Sequence, residues 1–185
     1  MELCLLVCIK DIWNFTDREL ERIHNYIQWI FPTDDPRNEQ NGKPYVNAEE
    51  ILKFNEDSVE GIALRNRLLI SYVWMMKVYG FDLNLSTKKL TRSDDYYAKT
   101  KNWLNNGNHN YLRLTRIISC LKLLGLNDYA LELFEMLKSV FEDNSGKIGN
   151  TTMNFWKQAI EGQLPRITTK VQSDLLDGLN NIKWS

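Results

Sequence analysis

The two histidines of this sequence are the first candidates for chemistry. Each stands in the same tripeptide, His-Asn-Tyr, and an aliphatic residue follows both copies. Helical periodicity places His24 on the apolar face of a helix, whereas His109 falls at a helix N-terminus. If the two helices pack together, the imidazoles approach each other or share a polar pocket with Gln28 and Asn108. Such a pocket would bind a ligand or carry a proton near neutral pH.

A purely structural role accounts for the same histidines. In that alternative, His24 is a core residue whose second ring nitrogen bonds a backbone carbonyl, and His109 caps the helix that follows it. No nucleophile and no third metal ligand is identifiable for either residue, so the sequence favours the structural role over a two-histidine enzyme.

A second cluster follows the second histidine along one helical flank. Arg113, Arg116 and Cys120 are spaced so that their side chains come together. Two guanidinium groups beside a thiol would lower its pKa and make it more reactive, or would bind an acidic peptide or a phosphate through forked hydrogen bonds. The simpler interpretation, which we favour, is a set of salt bridges to acidic residues of a neighbouring helix, such as Glu132 or Glu135.

Motifs of well-known catalytic and metal sites are absent from the sequence. It has no Walker loop, dinucleotide-binding fingerprint, nucleophile elbow, zincin pair or CxxC pair. The carboxylate pairs at positions 34–35 and 94–95 fit a loop and a helix start better than acid–base catalysis. Cys4 and Cys8 lie one turn apart with no further ligands nearby, which indicates small hydrophobic residues. We therefore predict no catalytic residues, no metal and no cofactor.

Composition indicates a soluble globular protein of one domain. The 185 residues are 43% hydrophobic and 25% charged, with a net charge of −1. This balance gives no general attraction to nucleic acid, so the aromatic residues around Lys99 and Lys101 are a weak nucleic-acid signal. Three cysteines without a framework spacing predict reduced thiols in an intracellular, cytoplasmic protein. No apolar run reaches the roughly 20 residues of a transmembrane helix, and the short apolar start lacks the basic flank of a signal peptide.

The element expected to position the first histidine is a helix from Thr16 to Pro32. Thr16 and Glu19 form a capping box at its start, and Pro32 lacks the amide donor needed to continue it. Apolar residues cover nearly every side between these ends, and Trp29 points away from the face that carries His24. Because such a helix cannot lie on a surface, we predict that the other elements surround it.

The remaining chain also has helical patterns, and no alternating strand pattern is evident. The segments at 33–44 and 143–150 are predicted loops. We therefore predict an all-α fold, a single compact helical domain of about seven helices around a central buried helix. Its parts are a divergent or truncated lead-in at 1–10, the helical domain at 11–162, and a C-terminal amphipathic helix at 163–185 packed on or beside the domain. The further helices are predicted to start near Asn47, Ser58, Ser93, Asn108, Asn127, Thr151 and Thr168.

Two long blocks of sequence resemble a known family. The first, from Leu20 to Pro32, reads Leu-Glu-x-x-His-x-Tyr-Ile-Gln-Trp-Ile-Phe-Pro. The second, from Gly107 to Ile117, reads Gly-Asn-His-Asn-Tyr-Leu-Arg-Leu-Thr-Arg-Ile. Both are similar to the motifs of the opioid growth factor receptor conserved domain, which occurs in animal receptors and in bacterial proteins. Weaker matches follow in the family's order at 76–81, 103–104, 123–126 and 147–156.

The resemblance implies a non-enzymatic, receptor-like binding module. Animal members of the family bind the small peptide Met-enkephalin, associate with the nucleus and the periphery of the nuclear membrane, and restrain cell growth. For this chain we expect a peptide or small polar ligand, or another protein, as the partner. The alternatives are a two-histidine enzyme and a nucleic-acid-associated helical protein. The expected ligand-binding residues are His24, Gln28, Trp29, Asn108, His109, Arg113 and Arg116.

Overall fold

Helices make up most of the structure. The computed structural model describes residues 9–162, and within that range one two-stranded hairpin is the only sheet. The predicted all-α domain is confirmed, with more and shorter helices at its N-terminal end than expected. The predicted helix within 163–185 lies outside the described residues, as do Cys4 and Cys8. In chain order, the elements are α1 (Ile9–Ile12), α2 (Asp17–Arg22), α3 (Tyr26–Ile30), α4 (Pro36–Gln40), α5 (Ala48–Asn55), α6 (Val59–Tyr79), β1 (Phe81–Asn84), β2 (Lys89–Arg92), α7 (Tyr96–Trp103), α8 (Asn110–Leu123), α9 (Asn127–Asp143) and α10 (Asn150–Glu161).

Local capping signals start three helices where the sequence predicts them. At α2 the amide of Thr16 donates to Glu19 Oε2 at 2.8 Å, and the amide of Glu19 donates back to the Thr16 hydroxyl. Asn47 and Glu50 form the same reciprocal pair at α5. The Ser58 hydroxyl caps α6. Each cap satisfies amide groups that a helix start leaves without an intrahelical acceptor.

The predicted continuous helix from Thr16 to Pro32 is wrong, because the chain forms two short helices there. α2 ends at Arg22, and α3 begins at Tyr26. In an unbroken helix the Leu20 carbonyl would accept the amide of the residue four positions later. Instead it accepts a hydrogen bond from Arg113 Nη2 at 3.3 Å. A side chain from a distant helix thus supplies the hydrogen-bond donor for the carbonyl at the break.

The central buried helix is α8 and not the segment at 16–32. Its inner face has no solvent exposure, and it packs against both α9 and α10. The α2–α3 segment is joined to α8 through Arg113 and Arg116, and it also contributes buried side chains, including Tyr26 and Phe31. Five apolar residues along α8 and at its end are fully buried: Leu114, Ile117, Ile118, Leu121 and Leu124.

A hairpin follows α6, although no strand was predicted in this part of the chain. Gly80 ends α6 with a φ of +82°, in the left-handed region that favours glycine. A Cβ atom at this position would lie 2.9 Å from the Cα of Tyr96, so α7 can approach only a glycine here. β1 and β2 then pair antiparallel, with Phe81 opposite Arg92. The turn at Gly80 therefore brings α7 against the end of α6.

Candidate functional site

The two histidine rings meet in space, although 85 residues separate them in sequence (109 − 24). Their centroids lie 5.8 Å apart in an edge-to-face arrangement. His24 lies in the link between α2 and α3, and His109 immediately precedes α8. Both side chains are exposed, so the interpretation of His24 as a core histidine is wrong, and His109 makes no side-chain capping bond to α8.

An acidic residue of α2 approaches the second ring. Glu21 Oε2 lies 3.7 Å from His109 Nε2. Partial burial lowers the pKa of His109 below its usual 6.5, and the positive charge of Arg113 and the neighbouring His24 lower it further, while Glu21 acts in the opposite direction. His109 is therefore mainly uncharged at neutral pH and can accept as well as donate a hydrogen bond.

Arg113 is the buried charge of the site. Its side chain on α8 is among the most buried polar groups described, with 6% of the residue exposed. Nη1 donates to Asn110 Oδ1 at 2.9 Å, and Nη2 donates to the Leu20 carbonyl. The guanidinium carbon lies 5.0 Å from the centre of the Tyr26 ring, a cation–π geometry. One side chain therefore joins α8 to both α2 and α3.

Asn110 extends this contact into a network of buried polar groups. Its Oδ1 also accepts from the Tyr79 hydroxyl at 3.3 Å, and its Nδ2 donates to Asn108 Oδ1 at 3.0 Å. The indole of Trp103 donates to the backbone carbonyl of Tyr79. Burial raises the pKa of Tyr79 well above its ordinary value, which keeps the hydroxyl protonated as a donor. These bonds hold α6, α7 and α8 in fixed positions around Arg113.

A small cleft opens beside this network. Its volume is about 30 Å³, enough for about two waters or a small polar group of similar size. The histidine pair lies next to it, because Glu21 both lines the cleft and approaches His109. The residues that line the cleft are Leu20, Glu21, Tyr26, Val78, Tyr79, Asn102, Trp103, Asn110 and Arg113.

The predicted site residues are distributed unequally around this cleft. Arg113 lines it, and Asn108 supports it by accepting the amide of Asn110 at 2.9 Å. Gln28 and Trp29 are half-buried on α3 and do not belong to the described lining. The Oε1 atom of Gln28 is buried without a hydrogen-bond partner among the residues described.

Arg116 and Cys120 lie near enough to interact electrostatically, but Arg113 faces the cleft instead, so the predicted cluster of three does not form. Arg116 Nη1 donates to the Phe31 carbonyl at 3.2 Å and to the Thr33 hydroxyl at 3.3 Å. Cys120 is fully buried, and this burial raises the pKa of its thiol, so the prediction of an activated thiol is wrong. The favoured salt bridges are also wrong for residues 9–162, because Glu132 pairs with Lys89 instead.

A larger apolar groove lies next to the cleft along α6. It measures about 480 Å³ and combines one outer face of α6 with Leu85 from the hairpin turn. Trp74 forms part of it and packs edge-on against Tyr26, with ring centroids 6.5 Å apart. Val78, about one helical turn beyond Trp74, lines the polar cleft. The α6 side chains in the groove are Asn66, Leu69, Ile70, Val73, Trp74 and Lys77.

The described part of the chain has neither a metal-binding cluster nor a membrane-spanning helix. Between residues 9 and 162, no three or more His, Cys, Asp or Glu side chains come together to hold a metal ion. No helix in that same range combines the length and apolar character needed to cross a bilayer.

Sequence reasoning missed most of the cleft lining. Tyr26 and Asn110 belong to the two His-Asn-Tyr copies, so their tripeptides were recognised but their roles were not. Glu21 lies inside the first resembling block, yet an exposed acid on a helix gives no signal of its own. The hydrogen bond between Tyr79 and Asn110 depends on how α6 and α8 pack, which no short motif encodes.

Comparison with known proteins identifies one family. A family model described as the opioid growth factor receptor conserved region matches residues 5–171. The opioid growth factor receptor of Rattus norvegicus is 35% identical over 129 residues, which are 68% of this chain and 21% of the relative. The Homo sapiens protein of that name is 33% identical over 132 residues, 70% of this chain and 18% of the relative.

A second group of relatives carries a related name. Opioid growth factor receptor-like protein 1 of Mus musculus is 29% identical over 149 residues, which are 80% of this chain and 30% of the relative. The chain thus spans from about a fifth to under a third of the length of these relatives. No solved structure matches it significantly.

Proposed function

The chain belongs to the opioid growth factor receptor conserved-region family, as its two motifs predicted, and on this premise we propose that it is a non-enzymatic, receptor-like binding domain. Its ligand in this proposal is a peptide or a small polar molecule. The relatives are named receptors, and this chain matches only a part of each of them. The domain would therefore supply the ligand contact of such a receptor.

The observation that carries the proposal is where the resembling segments meet. The first block supplies Leu20, Glu21 and Tyr26 to the cleft, and the second supplies Asn110 and Arg113. The weaker matches at 76–81 and 103–104 supply three of the remaining four lining residues. Three distant parts of the chain, at 20–26, 78–79 and 102–113, thus converge on one polar cleft, an arrangement typical of a binding site with a few oriented polar groups.

The geometry suggests how one ligand would lie. A polar group of the ligand would enter the cleft at Arg113, with Glu21 and His109 at its side. Apolar side chains of the same ligand would extend over Trp74 into the adjoining groove. A short peptide that has both polar and apolar groups matches this combination, whereas the cleft alone is too small for more than one small group.

Isothermal titration with the Met-enkephalin pentapeptide tests this proposal. We expect saturable binding that Arg113→Gln weakens by about tenfold or more, because a charge-assisted hydrogen bond is lost. Arg116→Gln is the matched control, since Arg116 lies on the same helix but outside the cleft lining. Equal affinity in both variants, or no binding by the unmodified chain, would contradict the proposal.

Tryptophan fluorescence gives a second readout for the same peptide. Trp74 is half-buried at the edge of the groove, so an occupied groove should change its emission. In Trp74→Phe the part of that change that comes from the groove should be lost while the calorimetric binding persists, and any remaining change would come from Trp103 in the cleft. Binding without any fluorescence change in the unmodified chain would remove the groove from the proposal and leave the cleft.

A further inference from the structure

The charge of Arg113 has no counter-ion among the described residues. A guanidinium has five N–H donors. Two of them bind neutral oxygens, the Asn110 amide and the Leu20 carbonyl, which leaves three (5 − 2) without a partner between residues 9 and 162. A charge that is nearly buried is costly unless an opposite charge or further hydrogen bonds compensate it.

The nearest acidic group does not provide that compensation. Glu21 lines the same cleft, but its carboxylate lies 3.7 Å from His109 and, within residues 9–162, forms no ion pair with Arg113. Its side chain is also 52% exposed, so water solvates it. The positive charge of Arg113 also acts on His109 beside the cleft, where it contributes to the lowered pKa of that imidazole. The cleft is therefore a small positive site with one acid at its edge.

We propose that the ligand group seated in this cleft is a carboxylate, bound by the free N–H groups of Arg113. This inference rests on the proposed function and names the chemical class of the ligand. Two carboxylate oxygens match two parallel guanidinium donors, and the room for about two waters matches their size. The Tyr26 ring holds the guanidinium plane in place from one side, which reduces the entropy lost on binding.

The Asn110 amide provides a sharp test, because replacing it by a carboxylate supplies an internal counter-ion. In Asn110→Asp the new carboxylate would take the position 2.9 Å from Arg113 Nη1. We expect this variant to lose carboxylate binding while it remains folded. Glu21→Gln is expected to do the opposite and tighten binding by about threefold to tenfold, since it removes a repulsive charge from the lining.

The closing experiment uses sodium acetate as the probe and follows the Arg113 Nε–H signal by NMR, with sodium chloride at equal ionic strength as control. A saturable shift with acetate alone, lost in Asn110→Asp and strengthened in Glu21→Gln, is the expected result. No saturable shift, or an equal shift with chloride, would overturn the proposal. A saturable shift that persists in a folded Asn110→Asp would also overturn it. Thermal unfolding of each variant, measured first, shows whether it is folded, and Glu21→Gln keeps the test valid if Asn110→Asp is not.

Peptide titrations distinguish a terminal carboxylate from an acidic side chain as the ligand group. They also distinguish failure of this inference from failure of the proposed function. The Met-enkephalin free acid should bind about tenfold more tightly than its C-terminal amide if the terminal carboxylate is the ligand group. If instead an acidic side chain is the source, an amidated peptide with one added Asp regains the affinity. Equal binding of acid, amide and Asp-containing amide overturns this inference but leaves the binding function. If acetate binds but no peptide does, the carboxylate inference stands and the proposed peptide-binding function is contradicted.

Discussion

The two His-Asn-Tyr copies have the same three residues but different structural roles. In the first copy, the ring of Tyr26 lies under the guanidinium of Arg113. In the second copy, the amide of Asn110 accepts a hydrogen bond from that same guanidinium. Tyr111 instead packs its ring against Trp156 on α10, at a centroid distance of 5.9 Å.

This difference shows that the tripeptide does not by itself determine a structural role. Each copy begins a helix and buries its tyrosine, and the side chain that then faces Arg113 depends on the direction of approach. The second copy precedes Arg113 on α8 itself, whereas the first reaches it from another element. Arg113 thus joins the two similar segments by contacting one residue of each copy.

The largest effect is expected when Arg113 itself is removed. Arg113→Met would leave the Leu20 carbonyl without its donor, remove one of the two donors to Asn110 Oδ1, and break the link between the two copies. The lost hydrogen bonds and cation–π contact outweigh the relief of a nearly buried charge, so we expect a loss of about 3 kcal/mol in the free energy of unfolding, measured by urea denaturation. Arg116→Met is the control, and about half that cost is expected because Arg116 is less buried. Equal losses of unfolding free energy in the two variants would show that the contacts of Arg113 stabilise the fold no more than those of Arg116.

A smaller effect is expected from the second copy alone. Asn110→Ala removes the shared acceptor of Arg113 and Tyr79, and should cost about 2 kcal/mol of stability. Asn154→Ala, at an exposed position on α10, should stay within about 0.5 kcal/mol of the unmodified chain. Similar thermal unfolding of both variants would argue against the buried network.

The contact of the first copy can be isolated by a double-mutant cycle. Combining Arg113→Met with Tyr26→Leu should give a coupling of about 1 kcal/mol, typical of a desolvated cation–π pair. The matched cycle of Arg113→Met with Tyr111→Leu should give almost none, since the Tyr111 ring packs on Trp156. Equal coupling in the two cycles would remove the distinction between the copies.

The smallest effect concerns protonation of His109. Its pKa should lie below 6.5 in an NMR titration, and Glu21→Gln should lower the pKa further because Glu21 favours the charged form. As the pH falls below 6.5, the unfolded chain binds this proton first, so His109 contributes a decrease in stability until the folded form is also protonated. A midpoint above 6.5 would show that Glu21 outweighs burial and Arg113.

Local signals allowed much of the fold to be predicted. The reciprocal caps Thr16 with Glu19 and Asn47 with Glu50 act within one turn, so the sequence alone identifies them. The break between α2 and α3 was missed because the helical pattern continues through it, and the residue that binds the freed carbonyl lies on α8.

The candidate site was less predictable than the fold. The motif indicated His24, His109 and Arg113, and the structure brings these three close together. It did not indicate Tyr79 or Trp103, because their contributions depend on the packing of α6 and α7. The β1–β2 hairpin was missed for a different reason, since four residues of alternation in β1 are too few to be distinguished from a turn.

Two arginines of α8 donate hydrogen bonds to backbone carbonyls of residues that lie far earlier in the sequence. Arg113 binds Leu20 across 93 positions, and Arg116 binds Phe31 across 85. Helices as short as α2 and α3 are not stable in isolation. During synthesis on the ribosome, the N-terminal segment must therefore wait for α8 to emerge before it can dock. A nascent chain arrested before α8 should accordingly be degraded readily at its N-terminus, and the binding cleft forms only once most of the domain has been translated.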